Sequence, residues 1–126
     1  MSFIIINNYK FDAITAISEV EQAKGLMKVA WPPPIMVFPS EQPEYRKFWM
    51  KNTPSPLDIV FIKENKIISI AKGEPFSTEM VGPNVKVDCV VEFPYGSMKK
   101  INAKLNDDIE ILYSQEERNK ILKTIM

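Results

Sequence analysis

Ten prolines and four glycines divide this 126-residue chain into short apolar pieces, and that spacing limits what it can fold into. Proline has no N–H to donate and pushes the residue before it into extended geometry, so long helices and central-strand interiors are closed to it. Trp31-Pro32-Pro33-Pro34 ends any helix, Pro54 and Pro56 end a strand, and Gly73, Pro75, Gly82 and Pro83 make residues 72–84 a long loop, a length that in a small domain marks function or disorder. The pieces left between these breaks read as strands at 3–6, 35–38, 48–53, 57–62, 67–71, 85–93 and 108–113. Residues 57–62 and 67–71 flank Lys63-Glu64-Asn65-Lys66 and form a hairpin, with Asn65 suited to a left-handed turn position. Along 85–93, Val85, Val87, Cys89, Val91 and Phe93 face one side and Lys86, Asp88, Val90 and Glu92 the other.

Two helices are signalled. Ser18 and Glu21 match a capping box opening a helix over 19–27, with Val20, Ala23 and Met27 on one side, and Gly25 weakening it. Ser114 and Glu117 match a second, opening a C-terminal helix with Ile121, Leu122, Ile125 and Met126 on one stripe. Many short strands and two short helices predict a mainly β fold. The expected architecture is a small antiparallel β-barrel or sandwich over 1–113 with one short N-terminal helix, and a C-terminal amphipathic helix appended over 114–126.

Composition excludes more than it selects. Sixteen basic residues balance sixteen acidic ones, so the surplus that a general nucleic-acid binder needs to displace counterions is missing. There is no histidine, the commonest general base and metal ligand, and hence no Ser or Cys triad of the usual kind. One cysteine gives no intramolecular disulfide; Cys89 sits mid-strand on the apolar side and reads as a small core residue. The seven methionines do not cluster at ligand spacing and read as packing, so no metal and no cofactor is expected. Phosphate-binding glycine motifs are absent, and no window reaches the roughly 18 apolar residues of a membrane span. The first six residues are too short and too uncharged for a signal peptide, so the expected location is cytoplasmic or virion-associated.

Carboxylates remain as chemistry. Asp58, Asp88 and Glu92 come from strands and are able to work as an acid–base pair only if they converge; solvated or salt-bridged carboxylates are the plainer account. Asp58 lies inside an apolar run, where a bare charge is costly, and Lys51 or Asn52 is its expected partner.

Phe48-Trp49-Met50-Lys51-Asn52-Thr53 followed by Pro56-Leu57-Asp58-Ile59-Val60-Phe61-Ile62 resembles the signature of domain-of-unknown-function family 192. Glu21-Gln22-Ala23-Lys24-Gly25-Leu26-Met27 resembles its upstream helix motif, Ile35-Met36-Val37-Phe38 its next strand, Val90-Val91-Glu92 with Gly96 a later segment, and Asn106-Asp107-Asp108-Ile109 its closing turn. The resemblance implies a compact, mainly β domain of a kind often exported in bacteria and archaea and found in large marine phages, with no established activity. This sequence departs from the pattern in three places. Lys28-Val29-Ala30 follows Gly-Leu-Met where an arginine is usual, Pro32-Pro33-Pro34 replaces a glycine, and Phe93-Pro94-Tyr95-Gly96 replaces Asn-Ala-Gly. A site that used that arginine to clamp an anion is weakened here.

Three readings follow. The first is a non-enzymatic binding or structural module, with Trp49 stacking on a ligand, Lys51 and Asn52 as donors, and Asp58 and Glu92 as acceptors. The same residues as a buried polar network that specifies the barrel are the structural counterpart of that reading. The second is a component of a larger assembly such as a virion, joined to a protein partner or a second copy through Ile121, Leu122, Ile125 and Met126. The third is a carboxylate enzyme acting on sugars or envelope polymers through Asp58 or Glu92.

Overall fold

The computed structural model describes residues 2–125, and side chains as far as residue 123. The chain runs β1 (Ser2–Ile6), β2 (Tyr9–Thr15), α1 (Glu19–Lys24), β3 (Met36–Glu44), β4 (Leu57–Lys63), β5 (Lys66–Gly73), β6 (Val87–Pro94), α2 (Ser97–Lys100), β7 (Ile109–Leu112) and α3 (Gln115–Ile125). Seven strands form one curled sheet in the order β5-β4-β6-β3-β2-β1-β7. The expected mainly β fold is therefore present. All pairs are antiparallel except β2–β3, which run parallel over two residue pairs only, Ile14–Met36 and Thr15–Val37.

Both hairpins turn on two residues held in the left-handed region. Asn7 and Asn8 have φ of 49° and 69°, and Glu64 and Asn65 have 51° and 61°, the double positive φ of a turn whose twist matches the strands it joins. Asn65 thus takes the predicted position, whereas β2 escapes the sequence reading. Tyr9, Phe11, Ala13 and Ile14 are its apolar residues, yet only Ala13 is buried. The two sheet edges are drawn together at one end. Ile67 N–H donates to Asp107 O at 3.0 Å, Asn106 N–H to Ile67 O at 2.7 Å, and Ile109 N–H to Asn65 O at 2.9 Å.

The sheet is apolar on both sides. Ile4, Ile6, Val37, Val60, Val91, Phe93 and Ile109 fill the inside of the curl. Phe38, Met50, Leu57, Ile59, Phe61 and Val90 form a second cluster on the outer face. β4 and β6 are buried on both sides, which is why 57–62 reads as an unbroken apolar run. On β6 the second side is not the solvated face that the alternation predicts, because Val90 and Glu92 are as buried as Val91 and Phe93.

The outer cluster is covered by a segment expected to be a strand. Residues 48–53 make a single bridge, Phe48 with Val81, and then turn at Lys51-Asn52. The long loop over 72–84 holds them. Phe48 N–H donates to Val81 O and Val81 N–H to Phe48 O, both at 2.8 Å; Met50 N–H donates to Ser77 O at 2.8 Å and Phe76 N–H to Thr53 O at 3.0 Å. Asn52 has φ of 57°, so the backbone leaves extended geometry there and a continuous strand is excluded.

α1 carries the predicted capping box, with Glu21 N–H donating to Ser18 Oγ at 3.1 Å and Ser18 N–H to Glu21 Oε1 at 3.0 Å. It ends at Lys24 rather than at 27, because Gly25 turns the chain with φ of 49°. None of its residues is buried and Val20 is 77% exposed, so the expected apolar side does not pack. Gln22 anchors it instead, its Nε2 donating to Ala16 O at 3.0 Å and Pro39 O at 2.9 Å. α3 opens as predicted, with Glu117 N–H donating to Ser114 Oγ at 3.1 Å. The Glu117 carboxylate also accepts from Ser2 Oγ at 2.9 Å and Ser114 Oγ at 3.0 Å, tying this helix to β1.

Two outcomes test these contacts. Burial pushes the Glu117 carboxyl up, but hydrogen bonds from Thr15, Ser2 and Ser114 outweigh it and hold it at about 2. A depressed carboxyl stabilises the fold fully above its ordinary value and loses that contribution as pH falls towards 2. Glu117→Gln is expected to cost about 1–3 kcal/mol at pH 7. Its melting temperature should converge with that of the wild type near pH 2, as followed by circular dichroism. Asn52→Ala places a Cβ-bearing residue without a local hydrogen-bonding side chain in the left-handed region and should cost about 1 kcal/mol in denaturant unfolding, whereas Asn52→Gly should not.

Candidate functional site

A cleft of about 290 Å³ opens on the outer face of the sheet. Its walls are α1 with the following Gly25-Leu26-Met27 on one side and Arg46 to Trp49 on the other, and its floor includes Phe38 and Glu92. The walls stand where they do for reasons already in the sequence. The capping box and Gly25 fix the length of α1, and the 72–84 loop fixes Phe48. Gly82 lies so close to the Arg46 backbone that an added Cβ would stand 2.3 Å from Arg46 O, so only glycine lets the two segments meet. At Gly25 the backbone and not space calls for glycine: its φ is 49°, while a Cβ there would meet Phe38 at 3.4 Å and Glu92 Oε1 at 3.8 Å, ordinary contacts.

Glu92 is the unusual group. It is 4% exposed, and no hydrogen bond or ion pair from the described residues reaches its carboxyl, whose remaining access is to the cleft. Burial, with no nearby charge to offset it, pushes that carboxyl up to about 8. Its paired neighbours across the sheet, Ile59 on β4 and Met36 on β3, offer no charge either.

The rim is cationic and aromatic. Lys24, Arg46 and Lys47 line it. Arg46 is partly neutralised by Glu44 at 3.5 Å and is braced by donating to Ser40 Oγ at 2.7 Å and Gln22 Oε1 at 3.2 Å. Lys47 donates to Gly82 O at 2.5 Å and Asn84 Oδ1 at 3.0 Å. Trp49 is 42% exposed on the wall, and Lys51 Nζ lies 5.3 Å from its ring centroid.

Of the residues singled out in the sequence, Trp49 and Glu92 meet in this cleft. Lys51 touches it only through the Trp49 ring. Asn52 is exposed and uses its backbone, accepting from Lys28 N–H at 2.7 Å. Asp58 is elsewhere: it pairs in register with Phe93, next to the Ile59–Glu92 pair, so the two carboxylates project from opposite faces of the sheet. Its partner is neither Lys51 nor Asn52. Asp58 Oδ2 accepts from Met98 N–H at 2.9 Å, in the first turn of α2. Sequence reasoning missed Gln22, Lys24, Arg46 and Lys47. Gln22 and Lys24 stood inside the upstream motif, and Arg46 is one of only two arginines, the other being Arg118.

On α3, Ile121 is half-buried and Leu122 is 51% exposed. The side chain of Ile125 and all of Met126 lie outside the described residues. Cys89 is buried and its thiol is pushed up to about 12 by that burial, the state of an unreactive core cysteine. Among the described residues no group of three or more Cys, Asp or Glu is arranged to hold a metal, and no helix is long and apolar enough to cross a membrane.

The same fold occurs in solved structures. A protein of unknown function from Novosphingobium aromaticivorans matches with a TM-score of 0.76 and 27% identity, over 86% of this chain and 82% of that one. A putative transcription regulator from Sinorhizobium meliloti matches with a TM-score of 0.77 and 25% identity, over 86% and 90%. No curated protein matches. The profile of the DUF192 family, described as an uncharacterized ACR, matches residues 3–111. With the strand order, the cleft and the motif residues in place, this chain belongs to the DUF192 family.

Proposed function

We propose that this domain, whose family has no established activity, works as a small binding module and takes its ligand into the cleft over Glu92. One observation carries the reading: a largely buried carboxyl without a protein partner among the described residues, lining a cleft. Its oxygens keep some solvent contact, and a ligand donor entering the cleft replaces water there with a hydrogen bond of its own. Trp49 supplies an aromatic wall against which a ligand packs, with Lys51 holding the ring from outside. Asn52 and Asp58 serve the fold, one as a turn and one as a cap for α2.

The chemistry that two converging acids perform is not supported by Asp58 and Glu92, which leave the sheet on opposite sides. The description of the Sinorhizobium meliloti neighbour as a putative transcription regulator is not carried over into this reading, since the sixteen basic and sixteen acidic residues here cancel and favour no polyanion. We also propose that α3 is an addition to the β domain, a reading supported by the family match ending at residue 111.

Two measurements test this. Amide shift mapping by NMR with a panel of neutral, anionic, cationic and zwitterionic fragments should move residues 22–27, 46–49 and Glu92. Trp49→Ala should weaken the hits at least tenfold without changing the melting temperature. Hits that map elsewhere, or none at millimolar concentration, overturn the reading. Stability supplies the control. A carboxyl raised to about 8 leaves the fold most stable below its ordinary value of 4.5 and weakens it as pH rises through 8. Glu92→Gln does not titrate, so it should match the wild type near pH 4 and exceed it at pH 9, by on the order of a few kcal/mol.

A further inference from the structure

We infer that the cleft takes an uncharged planar amide, a flat apolar ring that carries its carboxamide directly, with the amide edge on Glu92. This inference rests on the cleft being the ligand site, and it needs polar contact at Glu92 alone.

Geometry places ring and amide together. Glu92 Oε1 and the edge of the Phe38 ring lie 3.8 Å and 3.4 Å from a single point beside Gly25, so the carboxyl and an aromatic side chain are immediate neighbours on the floor. A polar edge that reaches the carboxyl belongs to a body already lying near Phe38, with no spacer between them. Phe48 and Trp49 continue the apolar wall, and a cleft of about 290 Å³ accommodates one small molecule.

Charge decides the end group. Glu92 is the one acidic side chain on the lining among the described residues, and it has no partner there. The ionisable groups that face it are Lys24 from α1 and Arg46 and Lys47 from the segment after β3. Glu21 of α1 is turned into its capping box, Glu44 is engaged by Arg46, and the paired positions Met36 on β3 and Ile59 on β4 carry no charge. None of these relieves the burial that raises the carboxyl to about 8, so at pH 7 it is mostly the neutral acid. An organic cation must pass three like charges and drive off that proton. An anion at the floor rests where no cation offsets its burial. The neutral acid offers one O–H donor and one C=O acceptor side by side. A primary carboxamide offers an N–H and a C=O in one plane and answers both, whereas an ester answers only the donor.

Titration of the intact chain tests this with four probes that share one ring: benzamide, methyl benzoate, benzoate and benzamidine. Methyl-detected NMR follows Leu26, Met27 and Met80 at the cleft at pH 6 and at pH 9. At pH 6 benzamide should bind at least about fivefold more tightly than each of the others. Its affinity should fall about tenfold between pH 6 and pH 9, as the O–H donor is lost. Glu92→Gln sets a neutral donor and acceptor in the same place. It should hold benzamide within about threefold of the wild type at pH 6 and remove the pH dependence. Glu92→Leu, apolar and of similar size, should bind benzamide no better than methyl benzoate. Tighter binding of benzamidine or benzoate, a benzamide affinity that ignores pH, or a preference that survives Glu92→Leu overturns the inference. The wild-type probe series and pH profile decide it even where a variant fails to fold. If none of the four probes moves the cleft methyls while other fragments map there, the amide falls and the binding site stands. If no fragment of any kind maps there, both fall.

Discussion

Strand β6 lies between β3 and β4 and is covered on both sides, and the rest of the molecule depends on that double coverage. Cys89, Val91 and Phe93 close the inside of the curl, while Val90 packs under Phe38 and Phe61 on the outside. Full burial of such side chains stabilises by about 1.5–3 kcal/mol each, so two layers on one strand hold a chain of this size together without a disulfide. The same arrangement carries Glu92 into the interior. A carboxyl at the next position of that strand is carried under the outer layer, where burial raises its proton affinity.

Much of the β architecture was legible because local chemistry decided it. The proline breaks, the left-handed Asn65 turn and the two capping boxes each depend on residues within a few positions of one another; the segments read at 3–6, 57–62 and 67–71 lie within β1, β4 and β5, and β7 lies within the segment read at 108–113. What escaped was decided at long range. β2 buries one side chain and is a strand only because β1 and β3 flank it. The stretch at 48–53 has strand composition, but the 72–84 loop took its backbone donors and Asn52 bent it.

The cleft was half legible for the same reason. Of the candidate residues read from the motifs, Trp49 and Glu92 line it, Lys51 reaches it through the Trp49 ring, and Asn52 and Asp58 lie outside its lining. Sequence spacing cannot say that Asp58 and Glu92, on neighbouring strands, stand one register step apart and so face away from each other. Nor can it say that Gln22, from a helix with no buried residue, reaches both the Ala16 carbonyl beneath it and the Arg46 guanidinium beside the cleft.

The parallel contact of β2 with β3 has a mechanical meaning. With only two residue pairs there, the backbone ladder nearly lapses between the three-stranded leaf β7-β1-β2 and the four-stranded leaf that carries the cleft. Cooperativity crosses between the leaves through Ile4, Val37 and Val91 in the shared interior and through the backbone bonds that join β5 to the turn before β7. The molecule is thus two leaves packed together along the seam and clasped at their outer edges, and the strands that floor the cleft belong to one of them.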